Sequence, residues 1–449
     1  MKNKILRFGL KILGKDIFKE YSKLKKLEYS PLEDNLKTHT QKLKKVLLHA
    51  YRNIPYYHKI LNKAKVVINE KVNLDNFNKI PILTKNIISN NFEKLKSTDS
   101  NYKKRKPSIN TSGGSTGEPV KFIQDKKSWT KGMAVAWLQN SFIHDYPCKQ
   151  IKLWGSERDI LKGGYGLIGN LKNWVYSRIY LNSFNLSEEQ MQIYVKKINS
   201  YKPIIIESYV QSIYELAKYI NKRHLKIYSP HGIITSAGTL YPFMKKIIEQ
   251  TFKCKIFNRY GSREVGAIAC SCEKDEGLHL NIFGNYVEIL NNKLEPCKPG
   301  ELGKVYVTTL NNFSMPLIRY DIGDLAVPTN KICSCGRGMP LIKQVEGREM
   351  SVFKTRSGKI IPAEFFIHFI GVIHNKGSID KFQVIQKNYD LIQIKVIIKN
   401  KKQFEKDKVY IESSIKKLMG NNCKIKWEFI KEIPSTKSGK YLYTISEIK

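Results

Sequence analysis

The chain has 449 residues, of which 41% are apolar, enough for real cores and, by length, for two or three domains. Its formal net charge of +39 is nearly all Lys, spread along the whole chain among abundant Asn and Ile; nucleic-acid readers concentrate Arg, whose planar fork suits phosphate and guanine, so no nucleic-acid partner is expected. The sequence offers no apolar run of transmembrane length and no convincing signal peptide, and a cytoplasmic location is expected.

In chain order, Lys2 to Lys26 has the pattern of a basic amphipathic helix, with Leu6, Leu10, Ile12, Leu13 and Phe18 on its apolar side. It suits either packing on its own domain or peripheral contact with anionic lipid at the inner membrane face. Residues 1–105 read as largely helical; Leu43, Val46, Leu47, Ala50 and Tyr51 keep helical spacing until Pro55. Residues 106–347 form the expected α/β core. Strands at 151–154, 203–206, 232–235 and 255–257 alternate with helices at 212–223 and 242–252, which argues for a parallel sheet. From Gly277 the texture becomes antiparallel, with strands at 287–290 and 303–309 in a β-barrel-like subdomain. Residues 348–449 read as a small α+β domain, with strands near 351–361, 382–398 and 424–430 and helices near 363–370 and 403–419. The fold class is therefore α/β, with a large N-terminal and a small C-terminal domain.

Five segments carry chemistry. Thr111-Ser112-Gly113-Gly114-Ser115-Thr116-Gly117-Glu118-Pro119 packs glycines and hydroxyls into one loop. Its backbone can approach and its donors can wrap phosphate oxygens, although the P-loop spacing is absent and a glycine-rich hairpin turn has the same composition. Ser236-Ala237-Gly238-Thr239 follows a strand, where small residues admit a planar ring. Asn258 to Glu264 offers an aromatic face at Tyr260, then Gly261 and Ser262, and a carboxylate at Glu264, which beside polyphosphate makes sense as a magnesium ligand. Arg319 to Leu325 is read as a tight turn whose Asp324 can accept two hydrogen bonds from a ribose diol. Pro434 to Lys440 places Lys437 and Lys440 on a loop near the C-terminus.

In order and spacing these segments resemble the core motifs of the adenylate-forming enzymes, the acyl-CoA synthetase superfamily. The closer resemblance is to the phenylacetate–CoA ligase branch, and within it to ligase-like proteins found with capsular polysaccharide genes. His49-Ala-Tyr-Arg-Asn-Ile-Pro-Tyr-Tyr57, Ile80-Pro-Ile-Leu-Thr-Lys85, Trp154-Gly155-Ser156 and Cys335-Gly336-Arg337 add to it, so that it spans about residues 40 to 445. The resemblance implies a carboxylic acid substrate, ATP and magnesium, acyl-AMP formation, and transfer to CoA or another acceptor. It assigns Thr111 through Gly117 to the β- and γ-phosphates, Ser236, Ala237, Gly238 and Tyr260 to adenine, Glu264 to magnesium, and Asp324 and Arg348 to the ribose. Lys440 would bridge carboxylate and α-phosphate, with Lys437 the competitor, and the small C-terminal domain would be mobile. Departures are Lys121 in place of a Lys directly after Pro119, Arg263 in place of a small or apolar residue, and Met350 where the hinge is commonly Asp. The last bears on the thiol step. A CoA-independent transfer to a sugar, amine or carrier is one rival reading, and a membrane-docked protein without catalysis is another.

Cysteines form a second constellation. Eight cysteines in a cytosolic chain are not a disulfide framework. Cys270-Ser-Cys272, His279 and Cys333-Ser-Cys335 can supply a tetrahedral structural zinc site, and some members of the resembling branch carry zinc in this region. The set favoured is Cys272, His279, Cys333 and Cys335, with Cys270 as alternate; buried reduced thiols are the other reading. Trp129, Trp137, Tyr209 and Tyr241 could line a pocket or serve as core. The acid and the oligomeric state are not encoded in any motif.

Overall fold

The structure, a computed structural model, describes residues 6, 10, 16–112, 120–154, 173–183, 186–238, 240, 242–346, 352–357, 360–362, 366, 370, 378–433 and 444–448. The chain divides into two compact units, one of Met1–Ser112, Val120–Cys148 and Phe257–Gly347, the other of Gly113–Pro119, Lys149–Ile256 and Arg348–Lys449.

The first part is helical, as its periodicity predicts: α1 (Ile17–Leu27), α2 (Leu32–Asn53), α3 (Pro55–Lys63) and α4 (Lys85–Asn90), with a short hairpin of β1 (Val67–Ile68) and β2 (Lys71–Val72). Pro55 does not simply end a helix. It opens α3 at a first-turn position, where its missing N–H costs nothing. Leu6, Leu10 and Ile17 are buried, so these apolar residues of the N-terminal segment face protein. Next come the antiparallel pair β3 (Ser108–Thr111) and β4 (Lys121–Gln124), and α5 (Lys126–Asn140). Asp125 caps α5 by accepting from Ser128 N at 2.7 Å, and its other oxygen accepts from Phe313 N at 3.2 Å.

Four parallel strands follow, β5 (Gln150–Trp154), β6 (Arg178–Asn182), β7 (Ile205–Tyr209) and β8 (Gly232–Ser236), in the order β8-β7-β5-β6. Helices α6 (Glu188–Tyr201), α7 (Val210–Lys222) and α8 (Pro242–Phe252) cover one face. Ile151, Leu153, Ile206 and Ile233 pack there against Leu216, Ile220, Ile248 and Phe252. Every residue of β7 is buried, as expected of an inner parallel strand.

The antiparallel sheet of the first unit contains β9 (Lys255–Ser262), β10 (Gly266–Ser271), β11 (Leu278–Leu280), β12 (Asn285–Leu290), β13 (Gly303–Thr309), β14 (Tyr320–Pro328) and β15 (Leu341–Glu346). The order is β12-β13-β14-β15-β11-β10-β9. Leu43, Leu47, Ala50 and Ile54 of the helical part bury against Val305, Val307, Ile318 and Tyr320. Two stretches read as signatures have a structural use here. The Leu83 N–H donates to Arg319 O at 3.0 Å and Asp321 N donates to Leu83 O at 2.9 Å, so the 80–85 segment pins the start of β14. The Tyr57 hydroxyl donates to Pro316 O and accepts from Ile318 N, both at 3.2 Å.

The C-terminal domain is α+β. It has a hairpin of β16 (Val352–Lys354) and β17 (Ile360–Pro362), then β18 (Ile379–Asn388), β19 (Leu391–Ile398), α9 (Lys401–Met419), β20 (Lys424–Phe429) and β21 (Thr444–Ser446), in the sheet order β20-β19-β18-β21. Its own core joins Phe382, Val384, Ile392 and Ile394 to Phe404, Ile411 and Ile415. No described helix is long and apolar enough to cross a membrane.

Candidate functional site

Two bulges organise the candidate nucleotide residues of the first unit. The segment 258–262, expected as a turn after a strand, is the end of β9 itself. Its pairing with β10 slips between Ala267 and Ala269, opposite Gly261 and Tyr260. Gly261 is required there: a Cβ would stand 2.5 Å from the Gly266 carbonyl oxygen. Asp324, expected on a tight turn, lies on β14. Asp321 pairs with Tyr306 and Leu325 with Lys304, so Ile322, Gly323 and Asp324 stand opposite one residue. Gly323 has φ +80° and its N–H donates to Asp321 Oδ1 at 2.9 Å. Bulges re-aim side chains; the extra residue is Ile268 of β10 in the first case and lies on β14 itself in the second. The Tyr260 hydroxyl donates to Asp324 Oδ2 at 3.0 Å, and the Tyr320 hydroxyl donates to Glu264 Oε1 at 3.2 Å. Glu264 is buried and Arg263 exposed. Tyr260 is thus brought to Asp324 and Glu264 to Tyr320, a residue that had no expected role although it lies in a quoted segment. Ser262 Oγ accepts from Val265 N at 3.4 Å and closes the turn before Glu264.

Arg319 directly precedes Tyr320. It is 1% exposed. Its Nε donates to Glu288 Oε2 at 3.1 Å, its Nη1 donates to the carbonyls of Asn78 at 2.5 Å and Ile80 at 2.6 Å, and Nη2 stands 3.1 Å from Glu288 Oε1. Burial raises the Glu288 pKa, and the guanidinium opposes that shift.

At the glycine-rich loop, Ser112 is buried. Its N–H donates to Val120 O at 2.9 Å and its Oγ accepts from Val120 N at 2.8 Å, closing the base of the loop where β3 and β4 meet. Thr111 ends β3. Gly113, Gly114, Ser115, Thr116, Gly117, Thr239, Tyr241, Arg348, Met350, Lys437 and Lys440 lie outside the described residues. In the second unit Ser236 ends β8, Ala237 has φ +60°, and a Cβ on Gly238 would lie 3.3 Å from Val210 Cβ. Tyr209 is the register partner of Ser236, and its ring lies 4.3 Å from that of Trp154. Trp137 is core instead, packed edge-on to Phe18 and Tyr21, and Trp129 is partly exposed on α5.

The ligating atoms of Cys272, His279, Cys333 and Cys335 all lie within 4.8 Å of one another. Cys272 Sγ is 3.5 Å from Cys333 Sγ, and Cys335 Sγ is 3.3 Å from His279 Nε2. Metal bonds of about 2.3 Å to sulfur and about 2.0 Å to nitrogen put tetrahedral ligand atoms about 3.5–3.8 Å apart, so this donor set fits a zinc-sized ion. His279 Nδ1 faces the Met339 carbonyl at 3.4 Å, which leaves Nε2 for a metal. Burial lowers the His279 pKa to about 4. Burial opposes the Cys335 thiolate, yet hydrogen bonds from the Arg337 backbone and side chain hold its pKa below the usual thiol value. Cys270 is not part of the group; it is fully buried, and burial pushes its thiol up to about 12.

Residues 353–447 match the protein family described as the CapK C-terminal domain. Protein CapK of Staphylococcus aureus is 24% identical over 441 residues, covering 96% of this chain and 92% of that one. The phenylacetate–coenzyme A ligase of Escherichia coli is 25% identical over 385 residues, 82% of each chain, and that of Thermus thermophilus 23% over 382 residues, 80% of this chain and 82% of that one. Among solved structures, 2-hydroxyisobutyryl-CoA ligase superposes with a TM-score of 0.59 at 16% identity, covering 94% of this chain and 91% of that one; it was crystallised with 2-HIB-AMP and CoA. Relatives that span most of the chain and a shared α/β fold agree: the chain is similar to the adenylate-forming superfamily and, within it, to the phenylacetate–CoA ligase branch.

Proposed function

We propose that this protein uses ATP to activate a carboxylic acid as acyl-AMP, releasing pyrophosphate, and then transfers the acyl group to CoA. The observation that carries this reading is the pair of hydrogen bonds that tie the 260–264 segment to the 320–324 segment, Tyr260 to Asp324 and Tyr320 to Glu264. An aromatic ring, an acceptor for a ribose diol and a buried carboxylate lie on these two linked segments, and a capped surface turn needs none of them. In this reading Tyr260 stacks on adenine, Ser236, Ala237 and Gly238 also serve adenine, Asp324 exchanges its tyrosine partner for the ribose hydroxyls, and Arg348 serves the ribose. The loop from Thr111 to Gly117 holds the β- and γ-phosphates. Glu264 holds magnesium, whose charge offsets that of the phosphates. The acid's carboxylate attacks the α-phosphorus and pyrophosphate leaves. Lys440 places an ammonium between the two anions as they meet; losing such a group costs on the order of 10²–10³ in rate.

We further propose that Cys272, His279, Cys333 and Cys335 hold one structural zinc ion, that residues 348–449 act as a mobile domain delivering Lys440, and that the pathway served is surface-polysaccharide synthesis, which the relation to CapK supports. The burial of Leu6, Leu10 and Ile17 favours packing of the N-terminal segment over lipid insertion. The Trp154–Tyr209 pair beside Ser236 puts flat apolar surface next to the adenine strand, so aryl acids head the candidates. The test is ATP–pyrophosphate exchange over aryl, hydroxy and amino acids, followed by thioester analysis with CoA. Acyl-AMP formation without thioester would move the second step to a sugar, amine or carrier, the outcome that Met350 at the hinge position raises. Exchange that survives Lys440→Ala intact would remove the catalytic assignment.

A further inference from the structure

The Cys/His cluster abuts a charge network that the nucleotide chemistry does not use. Arg337 follows Cys335 by two residues, and its side chain is 4% exposed. Its Nε donates to Glu28 Oε1 at 2.8 Å, and Nη1 donates to both oxygens of Glu273 at 3.1 and 2.9 Å. The guanidinium also lies 4.3 Å from the ring centroid of Phe142. Phe142 in turn meets the His279 ring edge-on at 6.1 Å. Glu28 is fully buried at the C-terminal end of α1, and its second oxygen accepts from Lys25 Nζ at 2.5 Å.

The backbone makes the same junction. Gly338 N donates to Glu28 O at 2.9 Å, and Asn35 Nδ2 donates to Gly338 O at 2.8 Å and to Leu27 O at 2.9 Å. A Cβ on Gly338 would fall 1.8 Å from Ser30 O, so the two segments touch backbone to backbone. Gly336, at φ +77°, turns the chain from the cysteine knuckle directly into this seat. Residues 25–35 and 333–339, some 300 positions apart in sequence, therefore form one continuous polar contact with the cluster at its edge. Three thiolates and a neutral histidine around a divalent ion leave one net negative charge, and Arg337 is the cation beside it.

We propose that Arg337 is a positioning residue that couples the metal centre to the N-terminal helical segment, so that a bound metal locks Lys25–Asn35 in place and that segment in turn helps retain the metal. The coupling rests on the zinc reading given above. Linkage makes it reciprocal: whatever the segment contributes to metal affinity, the metal contributes to the segment's order.

The experiment uses the full chain, loaded with zinc alone, with two readouts. Stripping zinc with a chelator should raise amide hydrogen exchange across 25–35 about tenfold or more while 391–398 in the C-terminal core stays unchanged. Arg337→Met should speed zinc release to a chromogenic chelator about tenfold, in the range of second-shell losses, and Arg337→Lys, which keeps the charge without the fork, should fall between. Should Arg337→Met fail to fold, the chelation arm on the unmodified chain and Arg337→Lys decide. Zinc that leaves with no change in exchange at 25–35, or release within about twofold of the parent in both variants, overturns the coupling alone. A chain that neither carries nor takes up zinc overturns the metal reading and the coupling with it.

Discussion

Arg319→Met should be among the most damaging single changes in the first unit, and its cost should depend on pH. The guanidinium is 1% exposed, and it neutralises a Glu288 side chain that is 11% exposed while holding the Asn78 and Ile80 carbonyls. Removing one partner of a buried pair leaves an uncompensated charge and costs about 3–5 kcal/mol, more than the hydrogen bonds alone would. The pH dependence follows from Glu288, whose folded pKa is raised above the usual 4.5 by burial and held back by Arg319. The folded state then holds that proton more tightly than the unfolded state, so stability falls as pH rises from 4.5 through the folded pKa. Without Arg319, burial acts unopposed and the folded pKa climbs further. The gap between variant and parent should be smallest near about pH 5 and widen toward about pH 8. Urea midpoints across that range measure it, and Glu288→Gln added to Arg319→Met should recover about 2 kcal/mol or more at the upper end. A gap below about 1 kcal/mol, a gap independent of pH, or a double variant worse than the single would refute the reasoning.

Metal analysis of the purified chain should find close to one zinc per chain, lost in Cys333→Ser; content well below one equivalent would leave the four residues as reduced thiols and a neutral histidine. Asp324→Ala should raise the KM for ATP in the exchange assay about 10–100-fold, the range of hydrogen bonds to a charged acceptor, with a smaller effect on the acid; equal effects on both substrates would count against a ribose role. Burial depresses the His39 pKa below 6.5, so the folded state binds that proton less readily than the unfolded state. Stability should fall as pH drops from 6.5 through the folded value, and His39→Gln, whose amide can still donate to the Asn285 carbonyl that His39 Nε2 meets at 3.0 Å, should flatten that slope by up to about 1.4 kcal/mol per pH unit. An unchanged slope would assign the proton elsewhere.

The elements that sequence located best are those whose burial is uniform. Strands β5 and β8 and helices α7 and α8 sit within two residues of their expected positions, because inner parallel strands are apolar runs and their covering helices are amphipathic. β6, whose sequence Arg-Ile-Tyr-Leu-Asn mixes polar and aromatic residues with apolar ones, gave no such signal. The chemistry-bearing segments were legible by residue type, but their local structure was not. Tyr260 lies on a strand opposite a bulge of β10 and Asp324 lies in a bulge of β14, rather than on turns, since a bulge depends on the partner strand's register, which composition does not record. The cysteine spacing announced a cluster, whereas the choice of Cys272 over Cys270 depends on how β10 leaves the sheet. The Arg337–Glu28 pair spans 309 positions and leaves no periodic trace in the sequence.

Acid-dependent ATP–pyrophosphate exchange with magnesium is the most direct test of the proposal that this chain adenylates a carboxylic acid. Exchange is expected with at least one acid of an aryl, hydroxy and amino acid panel, reduced about 10²-fold or more by Lys440→Ala. Background exchange with every acid of the panel, or exchange that Lys440→Ala leaves intact, would contradict it.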